Sequence, residues 1–345
     1  MPDTIKAAFL TVPGGPHQSV YIETLAVNPA IRSASVADPG GSVFPEIQKR
    51  WKARLGEVPT YKDYRELLRE QKPDLVVVAY PADEAPPVIE AALQAGCHVL
   101  AEKPACVRAA DFERLNELAK KKDRHLMLAF ATRNNPHALK ARELVRAGTL
   151  GKLYGCSMYF IADQTRLRNP KAHSSWTNSK ARSGGGHLIW LGMHYVDVVQ
   201  FITGTNVAQV GGFISNVGGQ PIDVEDSAAV VLEFQGGMLG TLQSGYYLDR
   251  SYNSSIRIWG ENGWLRMDLM PGQPLEWYSN SEKVVHTVPS ALNAPDTYPA
   301  FMRAVIDAAR GAGPPPVTGT ECLQALKAVF GLYQAAGSGR TQKTS

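Results

Sequence analysis

Cysteine and long apolar runs are both scarce in this 345-residue chain. Its four cysteines are scattered and form neither a Cys-x-x-Cys pair nor a zinc-like spacing, which argues against a disulfide scaffold and a structural zinc centre. Such usage is typical of a reducing compartment. No apolar run reaches the length of a membrane-spanning helix, and the first residues lack the apolar core of a signal peptide. We therefore expect a cytoplasmic protein without a membrane partner; the alternative is an exported protein whose leader has been removed.

Excess charge is small as well. The formal net charge is +4, and basic residues are spread along the chain except for one run at residues 120–122. That run lies at the end of a predicted helix, where cations interact favourably with the helix dipole. A solvated helix end explains it better than a patch for nucleic acid, so we expect no nucleic-acid partner. The chain is longer than one hydrophobic core usually supports, which predicts two domains.

The first third of the chain alternates between predicted strands and helices. Residues 75–79 form an almost continuous β-branched run, which is typical of a central parallel strand. Repeated strand–helix units predict an α/β fold, a doubly wound parallel Rossmann sheet with ligands at the carboxyl ends of its strands. The predicted strands are residues 5–12, 35–37, 75–79, 97–101 and 126–131. The predicted helices are residues 17–27, 45–55, 62–70, 85–95 and 109–122.

After about residue 150 the pattern changes to short strands joined by tight turns. The turns at residues 236–237 and 261–263 are typical of antiparallel hairpins. We expect a dinucleotide-binding domain at residues 1–131 and a C-terminal α/β domain with a large open antiparallel sheet at residues 132–336. Its last helices are free to pack against the first domain, and residues 337–345 are expected to be a flexible tail. The predicted strands are residues 153–161, 207–215, 227–234, 238–247, 255–260 and 264–268. The predicted late helices are residues 297–311 and 320–336.

The turn after the first predicted strand carries four candidate cofactor residues, Thr11, Pro13, Gly14 and Gly15. A dinucleotide fold places the pyrophosphate here, on backbone amides and the N-terminus of the next helix. The turn is a poor match to Gly-x-Gly-x-x-Gly, because Thr11, Pro13 and Pro16 stand where glycines are expected and proline has no amide hydrogen. Taken alone, the segment is better explained as an ordinary turn.

Asp38 strengthens the case for a dinucleotide, because it ends the second predicted strand at about the right separation from the turn. A carboxylate there binds the adenosine ribose and repels a 2′-phosphate, which favours NAD over NADP. The alternative is a turn aspartate before Pro39. Tyr80, Pro81 and Asp83 follow the strand at residues 75–79 and complete the candidate cofactor edge, although Pro81 also serves simply to end the strand.

Lys103 follows the next predicted strand, within the sequence Ala-Glu-Lys-Pro at residues 101–104. A lysine at the carboxyl end of such a strand faces the ligand crevice. Burial or neighbouring charges that lower its pKa would let it exchange protons with an alcohol and a carbonyl. Glu102 either orients the lysine at the cofactor or is an exposed charge at the strand end. A solvated loop lysine is the competing interpretation.

A predicted helix that begins near Gly186 carries His187, Trp190, His194 and Asp197 at steps of three, four and three residues. These steps place all four roughly along one face. The three glycines before them let a ligand or another backbone approach closely. One alternative is that the histidines are structural, and another is a metal site formed by both histidines and Asp197. The spacing matches no standard zinc pattern, so we expect no metal.

His173 and Trp176 lie in a polar, loop-rich segment, residues 169–183. The aromatic ring of Trp176 is a candidate platform for the face of a sugar; the alternative is that it anchors the loop to the core. The candidate substrate-binding residues are Lys103, His173, Trp176, His187, Trp190 and His194.

Several short segments occur in a distinctive order and spacing. They are AGCHVLAEKP at residues 95–104, RNNP at 133–136, AGTLG at 147–151, GGG at 184–186 followed by His194 and Asp197, and VED at 224–226. Together they resemble the Gfo/Idh/MocA oxidoreductase family, which includes glucose–fructose oxidoreductase and inositol dehydrogenases. The resemblance implies an N-terminal Rossmann domain and a C-terminal α/β domain with an open antiparallel sheet. It also implies homo-oligomers, dimers or tetramers, built on that sheet, and NAD(P)-dependent chemistry at a secondary alcohol of a sugar or cyclitol.

By the same resemblance, Lys103 corresponds to the family's lysine that contacts nicotinamide and substrate, and His194 corresponds to its catalytic histidine. Arg133 lies in a matching segment and is expected at the cofactor. The family often has an aspartate four residues before the histidine, where this chain has Trp190. Proton transfer is then expected to rest on Lys103 and His194 alone, or to enlist His187. The altered glycine turn implies either that NAD is bound in another way, tightly enough to be recycled, or that redox chemistry has been lost.

We therefore expect an NAD-dependent oxidoreductase that acts on a secondary hydroxyl of a sugar, glycoside or cyclitol. Lys103 or His194 would take the hydroxyl proton, and Trp176 and Trp190 would stack on the ring or enclose it. There are two alternatives. One is an enzyme that recycles tightly held NAD and cleaves a glycoside by oxidation, elimination and reduction. The other is a family member that binds a ligand without catalysis.

Overall fold

The computed structural model describes residues 4–270, 272–289 and 297–344. The chain forms two compact units. The first comprises Met1–Ala129 and Tyr298–Leu323, and the second comprises Phe130–Thr297 and Gln324–Ser345. The chain thus leaves the first unit two residues before the predicted boundary at residue 131, and it returns there for part of its last two helices.

The first unit is built on a six-stranded parallel sheet. Its strands are β1 (Ile5–Thr11), β2 (Ile31–Ala37), β3 (Thr60–Tyr61), β4 (Leu75–Ala79), β5 (His98–Ala101) and β6 (Leu126–Leu128). The intervening helices are α1 (Gln18–Val27), α2 (Phe44–Leu55), α3 (Tyr64–Gln71), α4 (Ala85–Gln94) and α5 (Ala109–Lys121). The strand order is β3-β2-β1-β4-β5-β6. This is the order of a dinucleotide-binding fold, whose ligand crevice lies at the carboxyl ends of β1 and β4, where the strand order reverses.

Buried apolar strands account for the position of this sheet in the core. All five residues of β4 are buried, as the β-branched run at residues 75–79 predicts. Strand β6 is shorter than the predicted strand at residues 126–131. The chain turns at Phe130, whose carbonyl accepts a hydrogen bond from the Arg133 amide at 3.1 Å, and a 3₁₀ helix follows at Ala131–Asn134. That turn was not visible in the apolar pattern.

The second unit is built on a nine-stranded mixed sheet. Its strands are β7 (Leu153–Asp163), β8 (Val207–Ser215), β9 (Ser227–Phe234), β10 (Leu239–Leu248), β11 (Asn253–Gly260), β12 (Gly263–Met267), β13 (Leu275–Ser279), β14 (Val284–Val288) and β15 (Gln342–Lys343). The strand order is β14-β13-β12-β11-β7-β10-β9-β8-β15. The prediction of an antiparallel sheet was wrong for one pair, because β7 and β10 run parallel. Hairpin turns report only on consecutive strands, and these two strands are far apart in sequence.

Helices of the second unit cover one face of this sheet. They are α6 (Pro136–Arg146), α7 (Thr165–Arg168), α8 (Pro170–His173), α9 (Lys180–Ser183) and α10 (Met193–Thr203), and α10 contacts both α6 and β7. The last two helices are α11 (Thr297–Ala309), which belongs to the first unit from Tyr298 onward, and α12 (Gly319–Ser338), which begins in the first unit and ends in the second. Side chains on the other face of the sheet, such as Val231 and Leu239, are exposed. Within the described ranges, no helix has the length and apolar character needed to span a membrane.

The described residues of the segment expected to be a flexible tail, 337–344, complete α12 and pair with the second sheet. Helix α12 continues to Ser338, and β15 then pairs with β8, with Gln342 opposite Val210. The Thr344 side chain is buried and donates to the Val207 carbonyl. Backbone pairing with an edge strand holds this segment, and such pairing leaves no apolar signature in a polar sequence.

Candidate functional site

The glycine turn between β1 and α1 packs directly on the end of β4. Gly14 adopts φ +72°, a left-handed conformation that favours glycine. A Cβ on Gly15 would lie 2.5 Å from the Ala79 carbonyl oxygen, so only glycine allows this approach. The Thr11 hydroxyl donates to the same carbonyl at 3.1 Å and accepts from the side-chain amide of Gln18 at 2.8 Å. Thr11, in the place of the first fingerprint glycine, thus ties β1, β4 and α1 together.

Asp38 is engaged by its own turn. The carboxylate is fully buried, and its two oxygens accept hydrogen bonds from the Gly40 amide at 3.0 Å, the Ser42 hydroxyl at 2.7 Å and the Val43 amide at 3.1 Å. Pro13 packs against this turn, since a Cβ on Gly40 would lie 2.4 Å from its ring. The contacts are those of a turn aspartate, the alternative that the sequence left open beside ribose binding.

Tyr80, directly after β4, carries a polar atom that fits a bound cofactor. Its side chain is buried, its ring lies edge-on to Tyr64, and its hydroxyl has no hydrogen-bond partner within the described ranges. Burial raises the pKa of this hydroxyl well above its usual value, so it stays protonated. A buried hydroxyl without a partner is destabilising, and a polar ligand at this edge would satisfy it. The next turn begins at Pro81, whose carbonyl accepts from the Glu84 amide at 3.0 Å, and Asp83 lies within that turn.

Lys103 is nearly inaccessible, with 2% of its surface exposed. Burial lowers the pKa of its ammonium group to about 8, against the opposing influence of the Glu102 carboxylate. A lysine with this pKa exchanges its proton near neutral pH, as a general base or acid must. The competing interpretation, a solvated loop lysine, is therefore wrong.

Glu102 is buried beside Lys103 and interacts with the first helix. His17 Nδ1 lies 2.9 Å from Glu102 Oε1, and the Tyr21 hydroxyl donates to the same oxygen. Burial alone would raise the pKa of Glu102, but His17, Lys103 and Tyr21 together hold it below its usual value. The carboxylate is therefore ionised, and it is not the exposed strand-end charge that the sequence left open. His17 and Tyr21 were not anticipated, since 85 and 81 residues separate them from Glu102.

The three glycines at residues 184–186 lie against protein atoms. A Cβ on Gly185 would lie 2.1 Å from the Tyr333 hydroxyl, and one on Gly186 would lie 2.0 Å from the Glu225 carbonyl oxygen. The Glu225 carboxylate accepts from the amides of Gly186 at 2.7 Å and Leu188 at 2.9 Å, and from the Tyr333 hydroxyl at 2.8 Å. Glu225 therefore caps the following helix, which explains the glycines without a ligand.

That helix begins with a π-helical turn, Leu188–Gly192, before α10. A π turn inserts an extra residue, so the α-helical spacing of the predicted face does not hold. His187 is fully buried: its Nδ1 lies 2.5 Å from the Ser244 hydroxyl, and its ring is edge-on to Tyr246. Burial, and then the charge of Arg166, lowers the pKa of His187 to about 3, so the imidazole is neutral. The contact of Nδ1 is typical of a structural histidine, whereas Nε2 is buried and has no hydrogen-bond partner within the described ranges.

Asp197 and Arg133 form a buried, bidentate ion pair. The guanidinium nitrogens lie 2.7 and 2.9 Å from the two carboxylate oxygens, and the side chains are 0% and 3% exposed. The Arg133 guanidinium also lies over the Phe201 ring. Arg133, predicted at the cofactor, and Asp197, considered as a metal ligand, are thus partners of each other. Within the described ranges, no cluster of three or more His, Cys, Asp or Glu residues could hold a metal ion.

His194 is half-buried on α10, with its ring edge-on to Phe130. Trp176 and Trp190 are also half-buried, and their rings meet edge to face with centroids 5.3 Å apart. The Nε2 atom of His173 lies 2.6 Å from the Leu167 carbonyl oxygen, and this contact joins α8 to α7. The structure therefore brings Trp176 and Trp190 together, as the proposed sugar platform requires.

A cavity of about 230 Å³ lies beside Trp190. Its lining includes Trp190, Tyr246, Arg166, Thr177 and Asn178. Aromatic faces and convergent polar groups are typical of small-molecule sites. Arg166 and Tyr246 belong to none of the motifs in the sequence. The available signal was the charge of residues 164–196, which contain five lysines and arginines and no aspartate or glutamate.

Comparison with known proteins identifies related chains. A model of an oxidoreductase family with an NAD-binding Rossmann fold, Gfo/Idh/MocA, matches residues 14–130, and a model of the Gfo/Idh/MocA C-terminal domain matches residues 138–266. The myo-inositol 2-dehydrogenase of Thermotoga maritima is 28% identical over 219 residues. That alignment spans 62% of each chain, so less than two thirds of this relative's length is matched.

Solved structures show the same fold over the full length. An oxidoreductase domain protein from Kribbella flavida superposes with a TM-score of 0.86 at 22% identity and covers 100% of both chains. GenD2 from gentamicin A biosynthesis, solved in complex with NAD, superposes with a TM-score of 0.82 at 23% identity and covers 99% of this chain and 97% of its own.

Proposed function

This chain belongs to the Gfo/Idh/MocA family of oxidoreductases, and on that premise we propose that it is an NAD-dependent dehydrogenase that oxidises a secondary hydroxyl of a sugar, glycoside or cyclitol. The observation that carries the proposal is Lys103, which is buried at the carboxyl edge of a Rossmann sheet with its pKa lowered to about 8. Lysines are seldom fully buried, and groups with a shifted pKa at a cleft are typical of proton-transfer sites.

We propose that the cofactor is held by the turn at Gly14 and Gly15 and by Tyr80, Asp83 and Lys103. When bound, the nicotinamide supplies the hydride acceptor that no side chain can provide. Among the described residues, no atom lies within 4 Å of a Cβ built on Gly14, and the Tyr80 hydroxyl has no hydrogen-bond partner. Thr11, Pro13, Pro81 and Asp38 shape this edge, and the negative charge of Asp38 supports NAD over NADP.

Lys103 is the proposed base for the hydroxyl proton, and His194 is the proposed second proton-transfer group. With a pKa of about 8, about one quarter of Lys103 side chains are neutral at about pH 7.5. Glu102 keeps its charge and raises the pKa of Lys103 above what burial alone would give. Glu102 is therefore proposed as a positioning residue, and Arg133 as a structural one.

The substrate ring is proposed to bind in the cavity beside Trp190, whose ring contacts that of Trp176. An indole face excludes water from one side of a sugar and contacts its C–H groups. His187 supports the cavity through its contact with Tyr246, and His173 supports it by joining α8 to α7. These contacts do not specifically favour either alternative function, glycoside cleavage by oxidation and elimination or ligand binding without catalysis.

We also propose that copies of the chain associate, as dimers or tetramers, through the exposed face of the second sheet. Three apolar side chains on this face have high exposed fractions for strand residues: 55% for Val231, 63% for Leu239 and 84% for Phe213. Apolar patches of this kind commonly mark protein interfaces. All four cysteines are buried thiols, which supports a reducing, cytoplasmic location.

The first test is to denature freshly purified protein, to quantify released NAD and NADP by mass spectrometry, and to titrate the native protein with each by calorimetry. NAD should be released or should bind, more tightly than NADP. Lys103→Met should keep NAD binding within an order of magnitude and lose most oxidation of a panel of sugars, glycosides and cyclitols. Lys120→Met, which removes an exposed lysine paired with Glu117, is the matched control and should retain activity. Absence of both release and binding would refute the proposed function.

A further inference from the structure

We propose that the substrate is an anionic monosaccharide and that Arg166 binds its carboxylate or phosphate group. The inference rests on the proposed function, because it takes the cavity beside Trp190 as the place of the sugar ring. It is carried by the position and surroundings of one guanidinium group, which lines that cavity.

Arg166 is held at the cavity by tyrosines. It donates to the Tyr252 hydroxyl, and its guanidinium carbon lies 5.3 Å from the centre of the Tyr252 ring. A neighbouring arginine shows the contrast: Arg168, two residues away, pairs with the Asp249 carboxylate at 3.1 Å. The positive charge of Arg168 is thereby compensated within the protein, whereas the contacts of Arg166 are with neutral hydroxyl and ring groups.

The Asp163 carboxylate interacts with the charge of Arg166, but its hydrogen bonds come from other donors. Its Oδ1 accepts from the Thr165 hydroxyl at 2.7 Å and from the amides of Thr165 and Arg250, each at 2.9 Å. These hydrogen bonds, with a smaller contribution from Arg166, hold the pKa of Asp163 below its usual value. A ligand anion would therefore add a partner to Arg166 without displacing Asp163 from its own.

Charge and hydrogen-bond donors around the cavity favour an anion. Arg166 is the charged residue among those that line the cavity, and its polar neighbours in that lining, such as Ser175, Thr177 and Asn178, are neutral. Burial raises the pKa of Tyr246 to about 12, against the opposing influence of Arg166, so its hydroxyl stays protonated and can donate. A guanidinium group pairs with carboxylate or phosphate through two parallel hydrogen bonds.

The cavity volume suits a small group. At about 230 Å³ it is smaller than the range of about 300–1,000 Å³ that drug-sized ligands occupy. One sugar ring suits this space. The shared chemistry is thus a monosaccharide with a carboxylate or phosphate group, and substrate pairs can distinguish the two.

The experiment compares matched ligands on the intact protein with NAD present. Glucuronate and galacturonate are set against glucose and galactose, and glucose 6-phosphate is set against glucose. Binding is measured by calorimetry, and oxidation is measured by NADH formation. At least one anionic class should be preferred by about tenfold or more, and the preference should weaken as salt is raised.

Arg166→Gln should remove that preference, lowering affinity for the preferred anion by about 10- to 100-fold, with the neutral sugar changed by less than about threefold. Arg166→Lys should retain part of the preference for the anion, because lysine keeps the positive charge but lacks the planar guanidinium group. Arg168→Gln is the matched control and should leave the preference intact. Circular dichroism confirms that each variant is folded.

Two results would overturn the inference: no anionic class binding better than its neutral counterpart, or a preference unchanged in Arg166→Gln. The proposed function fails separately. Anion binding that depends on Arg166 but leads to no oxidation would support the inference and contradict the proposed dehydrogenase activity. Oxidation of neutral sugars alone would support the dehydrogenase activity and contradict the inference.

Discussion

Replacing Asp197 by asparagine should strongly destabilise the second unit. The substitution keeps the size and shape of the side chain but removes the negative charge that faces Arg133, whose guanidinium is 3% exposed and bonded at 2.7–3.2 Å. A guanidinium cannot lose its proton to escape the penalty. The variant therefore retains a buried cation without its carboxylate partner.

The expected magnitude follows from burial. Removing one partner of a buried ion pair destabilises a protein by about 3–5 kcal/mol. For a unit of this size each kcal/mol lowers the melting temperature by about 2–4 °C, so a fall of roughly 6–20 °C is expected. The matched control is Asp249→Asn, because the Arg168–Asp249 pair is 52% and 59% exposed. Exposed pairs contribute at most about 1 kcal/mol, so this control should melt within about 4 °C of the wild type.

Thermal and urea denaturation, followed by circular dichroism, measure both variants. Similar small shifts for Asp197→Asn and Asp249→Asn would refute the assignment of Arg133 and Asp197 as a structural pair. Arg133→Met gives a second check, since it should reduce stability while the folded fraction keeps its NAD affinity. A loss of NAD affinity without a loss of stability would instead indicate that Arg133 binds the cofactor.

Three further predictions concern the first unit and the chain end. The oxidation rate should rise with pH through a midpoint near 8 as Lys103 loses its proton. Glu102→Gln should move this midpoint to lower pH, because the Glu102 carboxylate raises the pKa of Lys103, and a move to higher pH would contradict this. Gly15→Ala should lower NAD affinity measured by calorimetry at least tenfold or prevent folding, since its Cβ would lie 2.5 Å from the Ala79 oxygen, and wild-type affinity would count against the turn geometry. Deleting residues 341–345 should lower the melting temperature, because β15 and the buried Thr344 are lost, and an unchanged melting curve would indicate a dispensable tail.

Local patterns were sufficient for most of the fold. The apolar run at residues 75–79 predicts a buried central strand, and the alternation of strands and helices predicts the parallel sheet. The end of β5 likewise places Lys103 at the carboxyl edge of the sheet. Each of these follows from neighbouring residues in the sequence, which is why they could be read without a structure.

What the sequence did not reveal depends on contacts between distant residues. The pairing of Glu102 with His17, and of Arg133 with Asp197, joins positions 85 and 64 residues apart. The π-helical turn at Leu188–Gly192 alters the predicted helix face by inserting a residue, and no composition signal marks it. The position of Asp38 before Pro39 predicts a turn aspartate as one alternative, but only the geometry shows both oxygens engaged by its turn.

The most direct test of the proposed dehydrogenase is NAD-dependent oxidation by the wild type and by Lys103→Met, measured as NADH formation against the panel of sugars, glycosides and cyclitols. We predict turnover of at least one substrate by the wild type. In the folded Lys103→Met variant we predict a loss of about 100-fold or more, with NAD binding retained. Equal turnover by the two proteins would contradict the role of Lys103, and no turnover by a wild type that also fails to bind NAD would contradict the dehydrogenase itself.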